Sequence, residues 1–350
     1  MAIRVGILGC GAMGLWHARR VRELPGFALH SSYDISPEQR QTAAAEFGCP
    51  VYDSPVEFLA DRALNLVVVA TPSHAHVEPT IAALKAGKHV LCEKPLARTE
   101  GEAHRMFAAA RKARRTLMTF QNRRWDSDFL TVRKAVTSGR LGRLLDIRLI
   151  RWNYTNIMQT FGAAGYRPGW RTEAAFGGGT LLDFGAHYVD QLLQLVPQPI
   201  ESVFGDLRGR RWTRDADDQF IAILRTRDGL VAQVEYSQNA HVPIAVEWAV
   251  SGARAGFRYD QSESLVCTHD ARGRERERRV QNSSGGDWDA PYRNFRAVIQ
   301  RGAQQAIQPR ETLRLMRVLD AVRESARRGQ VVRIKDEFAP GSSGRRAGTG

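Results

Sequence analysis

The first twenty residues leave this chain little freedom of fold. Ile3, Val5 and Ile7 alternate as a short buried strand, and Gly9, Gly11 and Gly14 follow at once as G-x-G-x-x-G. Leu15, Ala18 and Val21 then continue at helical spacing. A strand must therefore turn sharply into a helix. Gly9 permits the tight turn, Gly11 lets a pyrophosphate approach the backbone, and Gly14 lets helix and strand pack closely. The helix start, with Ala12 and Met13 in it, offers unpaired N–H groups and a positive dipole end to phosphates. Asp34 ends the next apolar run twenty residues after Gly14. That is the position of a carboxylate that accepts hydrogen bonds from an adenosine ribose. The context, more than the glycines alone, predicts a dinucleotide-binding unit.

Strands and helices alternate from there to about residue 120. Helices are expected at 37–47, 55–60, 77–86 and 99–114, the last N-capped by Thr99 with Glu102 three residues on. Strands are expected at 51–52, 64–70, 89–92 and 117–120. The run 64–70 is apolar on both faces, as in a buried parallel strand. This alternation predicts an α/β, doubly wound parallel sheet whose ligands sit at the carboxyl ends of the strands. Thr71, Pro72, His76, Glu93, Lys94 and Asn122 follow strands and so join Gly9, Gly11, Ala12, Met13, Gly14 and Asp34 as cofactor-binding candidates. A lysine at the mouth of such a cleft can donate to a substrate hydroxyl and stabilise oxygen charge; the alternative for Lys94 is an ordinary surface lysine. Asp34 repels a 2′-phosphate, and Ile35-Ser36-Pro37 bring no arginine to neutralise one. NAD is therefore favoured over NADP, unless Arg19 or Arg40 folds over the ribose.

The second half reads differently. An amphipathic helix is expected at 127–138 and a strand at 144–152. Strands at 217–226 and 230–238 are joined by the hairpin signal Asp228-Gly229, and short strands follow at 244–251, 256–259 and 264–268. Such closely spaced strands make a large, mostly antiparallel open sheet in an α+β domain. Helices, including 180–195, would cover one face and leave the other for an oligomer contact. The expected division is 1–122 for the dinucleotide domain, 123–338 for the second domain and 339–350 for a disordered tail. Asp183 and His187 are four apart and share one helix face. A histidine can take a proton near neutral pH, and a carboxylate one turn away can orient it. A salt-linked pair on a helix is the plainer alternative. A metal site of Asp183, His187 and Asp190 is another, but no further His or Cys cluster joins it, so no metal is expected.

Four stretches carry a resemblance. They are the N-terminal G-x-G-x-x-G, A-T-P-x-x-x-H at Ala70 to His76, A-G-K-H-V-L-C-E-K-P-L at Ala86 to Leu96, and G-G-G-T-L-L-D-F-G-A-H-Y-V-D at Gly177 to Asp190. Asn122-Arg123-Arg124, Gly139-Arg-Leu-Gly142 and Trp170-Arg171 match weaker parts of the same pattern. Over about residues 2–335 the chain resembles the Gfo/Idh/MocA family of NAD(P)-dependent oxidoreductases. The resemblance implies a Rossmann first domain and hydride transfer between nicotinamide and a secondary hydroxyl or ketone of a sugar, inositol or related polyol. It implies Lys94, Asp183 and His187 as the catalytic set. His187 takes the hydroxyl proton, Asp183 supports it, and Lys94 stabilises the oxygen. Lys94, Arg123, Tyr154, Arg171, Asp183 and His187 are expected on the substrate side, with Asn122, Trp125, Asn153 and Arg167 near them. His76 matches the family's histidine near the nicotinamide, or simply caps its helix. A homo-oligomer, dimer or tetramer, through the open sheet face is also implied. Two rival readings are an NAD-retaining glycoside hydrolase of the same family and a non-catalytic NAD-binding regulator.

Charge adds one question. The net charge is +14, from 51 Lys and Arg against 37 Asp and Glu. Arginines cluster at Arg208, Arg210, Arg211 and Arg214 and again from Arg272 to Arg279. No aromatic stacking pattern accompanies them and Glu275 and Glu277 interrupt the second cluster, so solvated loops are expected and no nucleic-acid partner. An anionic substrate is the better use of spare arginine. No apolar run approaches the roughly 20 residues of a membrane span. The four scattered cysteines contain no C-x-x-C, and the chain enters a strand with no signal peptide before it. A cytoplasmic protein with reduced thiols is expected.

Overall fold

The computed structural model describes residues 2–156, 168–196, 198–242, 244–260, 263–269 and 271–336. Arg167 and the expected tail lie outside the described residues.

Five parallel strands form the first sheet: β1 (Ile3–Leu8), β2 (Phe27–Tyr33), β3 (Leu66–Val69), β4 (His89–Cys92) and β5 (Leu117–Thr119). Their order is β2-β1-β3-β4-β5, the doubly wound arrangement. The four residues of β3 are Leu-Val-Val-Val, all buried, because helices cover both faces of the sheet. Residue 51 makes only an isolated bridge to Ser32, so the expected strand at 51–52 is no strand. The helices are α1 (Ala12–Glu23), α2 (Pro37–Phe47), α3 (Pro55–Ala60), α4 (Val77–Lys85) and α5 (Glu100–Ala113). Ser36, Ser54 and Thr99 cap α2, α3 and α5 by accepting backbone N–H bonds.

After α6 (Ser127–Thr137) the chain builds a nine-stranded sheet. Its strands are β6 (Leu144–Trp152), β7 (Ile200–Arg208), β8 (Gln219–Thr226), β9 (Val231–Ser237), β10 (Trp248–Gly252), β11 (Gly256–Tyr259), β12 (Ser264–His269), β13 (Glu275–Val280) and β14 (Val332–Arg333). The order is β13-β12-β11-β10-β6-β9-β8-β7-β14, and only β6 and β9 run parallel. Asp228-Gly229 turns β8 into β9, with Gly229 at φ +89. One expectation is overturned here. The arginine cluster from Arg272 to Arg279 is not a loop: most of it forms the edge strand β13, in register with β12 from Glu275 to Val280. Its exposed charges suit an edge that must not pair further.

The helices α7 (Ala186–Leu195) and α9 (Pro309–Arg328) cover the inner face of this sheet, so that Leu192, Leu319 and Val322 share a core with Phe220, Leu224 and Val234. The domain division is less clean than expected. In α8 (Ala290–Arg301), Tyr292 and Phe295 join the core of Ile3, Val5, Val21 and Phe120 in the first domain. Residues late in the chain thus complete the dinucleotide domain, because the α1 side of its sheet needs an apolar cover.

Candidate active site

The carboxyl ends of the five parallel strands and the start of α7 enclose a cleft of about 760 Å³. Gly9, Gly11, Ala12 and Met13 line it from the first turn, Asp34 from the end of β2, and Thr71, Pro72 and His76 from the end of β3. Glu93 and Lys94 enter from the end of β4, and Asn122 and Arg123 from the segment after β5. The second domain contributes Arg171, Asp183 and His187.

The glycine turn fits a dinucleotide. Gly9 has φ +98, and a Cβ there would lie 2.8 Å from the Ala70–Thr71 backbone. Gly14 sits behind the cleft, where a Cβ would lie 1.8 Å from the Gly9 carbonyl oxygen. A Cβ on Gly11 would meet no protein atom within 4 Å. Gly11 caps α1, whose first turn carries no acid, so the open space above it faces N–H groups and a positive dipole end. At the far end, the Asp34 carboxylate is held by the N–H groups of Cys10 (2.6 Å) and Ser36 (2.8 Å). Of the two arginines that could reverse the cofactor preference, Arg19 turns away and Arg40 lies beside this position. Arg19 pairs with Glu46. Arg40 donates to the Asp34 backbone carbonyl at 2.9 Å and pairs with Asp53 at 3.2 Å.

The His76 ring joins two strand ends, with Nδ1 2.8 Å from the Pro95 carbonyl and Nε2 2.9 Å from that of Thr71. It makes no side-chain cap to α4, and burial pushes its pKa down. Lys94 Nζ donates to Asp183 twice, to Oδ1 at 2.5 Å and to the backbone carbonyl at 2.8 Å. Arg171 Nε is 3.4 Å from the other Asp183 oxygen. Burial opposes ionisation of Asp183, but the charges of Lys94, Arg171 and Arg123 outweigh it and hold its pKa below the usual carboxylate range. His187 is buried, and its Nδ1 has no hydrogen-bond partner among the described residues. Burial, reinforced by the charges of Lys94 and Arg123, pushes its pKa well below 6.5.

Comparison with known proteins agrees with this layout. Residues 3–121 match the description "Oxidoreductase family, NAD-binding Rossmann fold", and residues 129–258 match "GFO/IDH/MocA C-terminal domain". The chain belongs to the Gfo/Idh/MocA oxidoreductase family. It is 27% identical to the scyllo-inositol 2-dehydrogenase (NADP(+)) IolW of Bacillus subtilis (strain 168), over 95% of this chain and 96% of that one. It is 27% identical to the myo-inositol 2-dehydrogenase of Thermotoga maritima, over 77% of this chain and 79% of that one. A solved NAD-binding protein from Listeria innocua superposes with a TM-score of 0.85 at 26% identity, covering 95% of this chain and 97% of that chain.

Two expectations for this Gfo/Idh/MocA site need correction. Asp183 does not orient His187. Residues Leu181–Gly185 form a π-turn before α7, so the α-helical register assumed for the pair does not hold, and Lys94 and Arg171 draw the carboxylate to themselves. Tyr154 does not line the cleft. It is 42% exposed, bridged through its backbone to Asn239, and its ring lies tilted against His241 with centroids 4.2 Å apart and meets Trp212 edge-on. Asn153 and Trp125 are likewise absent from the lining. Asp190 faces away, with both oxygens on Arg124 at 2.6 and 2.7 Å, which removes it from any metal set with Asp183 and His187.

The sequence reading missed the group behind Lys94. Glu93 Oε2 accepts the Lys94 backbone N–H, and Oε1 accepts from His17 Nε2 at 2.9 Å. His17 Nδ1 meets the Tyr292 hydroxyl. Burial keeps that phenol protonated. Burial alone would raise the pKa of Glu93, but the His17 hydrogen bond and the charges of His17 and Lys94 hold it low. His17 lies one turn beyond the glycines, and an unusual polar residue on an apolar helix face was the available signal. Asp217 was also missed. Its Oδ2 accepts from Thr180 Oγ1 at 2.6 Å and Leu181 N–H at 2.7 Å, fixing the turn that carries Asp183.

Proposed function

We propose that this oxidoreductase transfers hydride between a nicotinamide dinucleotide and a secondary hydroxyl, or the matching ketone, of a sugar, inositol or related polyol. The carrying observation is the convergence of Lys94, Asp183 and His187 at one end of a cleft whose other end holds the glycine turn and Asp34. The names of the two inositol dehydrogenases support the substrate class. A bound nicotinamide supplies the hydride acceptor or donor.

The chain's own groups handle the oxygen and its proton. An ammonium has three protons, and Asp183 takes two from Lys94, which leaves the third for the substrate oxygen. The Lys94 charge then stabilises that oxygen as it becomes an alkoxide. His187 is neutral at physiological pH, so it can accept the hydroxyl proton in oxidation and return it in reduction. Asp183 acts on Lys94: it fixes the position of the ammonium. NAD is the favoured cofactor over NADP, because the Asp34 carboxylate stands at the ribose end.

The outer face of the nine-stranded sheet presents Phe204, Ile221, Ile223 and Ile150 half-buried, a surface suited to a second copy of the chain. The four free cysteines suit a reducing cytoplasm. The decisive assay follows NADH formation with NAD, and NADPH formation with NADP, across inositols and aldoses. Lys94→Ala and His187→Ala are each expected to lose about 100-fold or more in kcat. Silence across the panel from protein that carries tightly bound NAD would sink this reading in favour of an NAD-retaining hydrolase or a regulator.

A further inference from the structure

The end of the cleft that holds Lys94 carries more positive charge than one alkoxide calls for. Arg123 and Arg171 line it beside Lys94 and His187. The side chains of Arg171 and Lys94 are only 14% and 16% exposed, so their charges act in a partly dehydrated space. The acids of this end are already committed. Glu93 is engaged by His17 and by the Lys94 N–H. Asp183 answers both Lys94 and Arg171. Arg123 meets Asp126 at 3.3 Å, and the other Asp126 oxygen accepts the Trp288 indole N–H. Asp126 also does not line the cleft.

The two guanidinium groups are held by aromatic rings. Arg171 lies 4.4 Å from the Trp170 centroid and Arg123 lies 5.9 Å from that of Tyr188. A cation–π contact restrains a guanidinium, and its fork matches carboxylate or phosphate oxygens. Two histidines of the cleft have cationic neighbours, and only His187 faces those of this end. After burial, cationic neighbours depress them further: Lys94 and Arg123 act on His187, and Arg98 acts on His74.

We propose that the substrate is an anionic sugar or polyol derivative, and that Arg171 and Arg123 bind its carboxylate or phosphate while Lys94 and His187 address the reacting hydroxyl. This rests on the hydride-transfer reading above and narrows it. The anionic group takes no part in the chemistry. The carbinol carbon gives hydride to the nicotinamide, the hydroxyl proton passes to His187, and the C–O bond becomes the carbonyl.

The test is calorimetric titration of the full-length protein, saturated with NADH, with D-glucose, D-glucuronate, D-gluconate and glucose 6-phosphate. Binding requires no turnover, so a failure of the hydride reading cannot masquerade as a failure of the anion site. At least one anionic ligand should bind about tenfold or more tightly than glucose, the advantage of hydrogen bonds to a charged group. Arg171→Gln and Arg123→Gln should each erase most of that advantage. A preference for the sugar acids assigns the group as carboxylate, and a preference for the phosphate ester assigns it as phosphate. Glucose binding as tightly as every anion overturns the proposal, and so does an anion preference that survives in the double variant. Anion binding without NADH formation from any oxidisable partner would fault the hydride reading alone.

Discussion

Asp217→Asn tests how the catalytic turn is held. The carboxylate lies against Gly179 and accepts from Thr180 and Leu181, with Asp218 next to it. Burial raises its pKa from 3.8 to about 6, against the lowering effect of those two hydrogen bonds. A carboxyl whose folded pKa is raised stabilises the fold below its ordinary pKa, and that stability is lost as pH climbs through the folded value. The difference between 3.8 and about 6 amounts to about 3 kcal/mol. That is an upper bound, because the residue keeps part of its surface in water. Between pH 5 and pH 7.5 the wild type should lose about 1 to 1.5 kcal/mol through this group. Asparagine has nearly the same shape, keeps an acceptor oxygen for Thr180 and Leu181, and does not titrate. The stability of Asp217→Asn minus that of wild type should therefore rise by about 1 to 1.5 kcal/mol over this range. Urea unfolding at the two pH values measures it, and titrations shared by both proteins cancel in the difference. A difference independent of pH, or one that falls as pH rises, refutes the reasoning.

Three further outcomes follow from the geometry. Gly11→Ala should keep the wild-type Tm yet lose dinucleotide affinity, because its Cβ meets no protein atom and projects into the cleft, whereas Gly14→Ala should lower Tm as well, since its Cβ collides with the Gly9 carbonyl; calorimetry and thermal melts separate the two. Asp34→Ala should cut the NAD-to-NADP ratio of kcat/KM by about tenfold or more, the effect of removing a carboxylate from the ribose site. Arg124→Met should cost about 3–5 kcal/mol in urea unfolding, because it strands the buried Asp190 and frees Glu311.

The dinucleotide half was legible because its signals are local. Each candidate there lies within a few residues of a strand end, and the parallel alternation dictates on which edge those ends gather. The misreadings share a different cause: contacts between residues far apart in sequence. Asp183 belongs to Lys94, 89 residues away, and a four-residue spacing cannot report that competitor. Tyr154 follows a strand whose register decides which way its ring turns, and a shift of one residue reverses the face. The run Glu275–Val280 has almost no β-forming composition, so pairing with β12, not propensity, makes it a strand. Tyr292 reaches His17 across 275 residues.

If Asp183 does not orient His187, the backbone must place it. The segment that follows β5 does this at three points. Gln121 Nε2 donates to the carbonyl of Ala186, the residue before His187, at 3.1 Å. Gln191 Nε2 donates to the Arg123 carbonyl at 2.6 Å. Arg124 grips the Asp190 carboxylate between them. Residues 121–124 also carry Asn122 and Arg123 into the cleft, so a single short segment sets both the end of the cofactor sheet and the start of α7. The imidazole therefore needs no side-chain partner to hold its place, and its buried Nδ1 is not tied to a carboxylate. This arrangement divides the labour. A carboxylate bonded to His187 would raise its pKa and favour the cation. Pairing Asp183 with Lys94 places the lysine for the alkoxide and leaves His187 neutral to receive the proton.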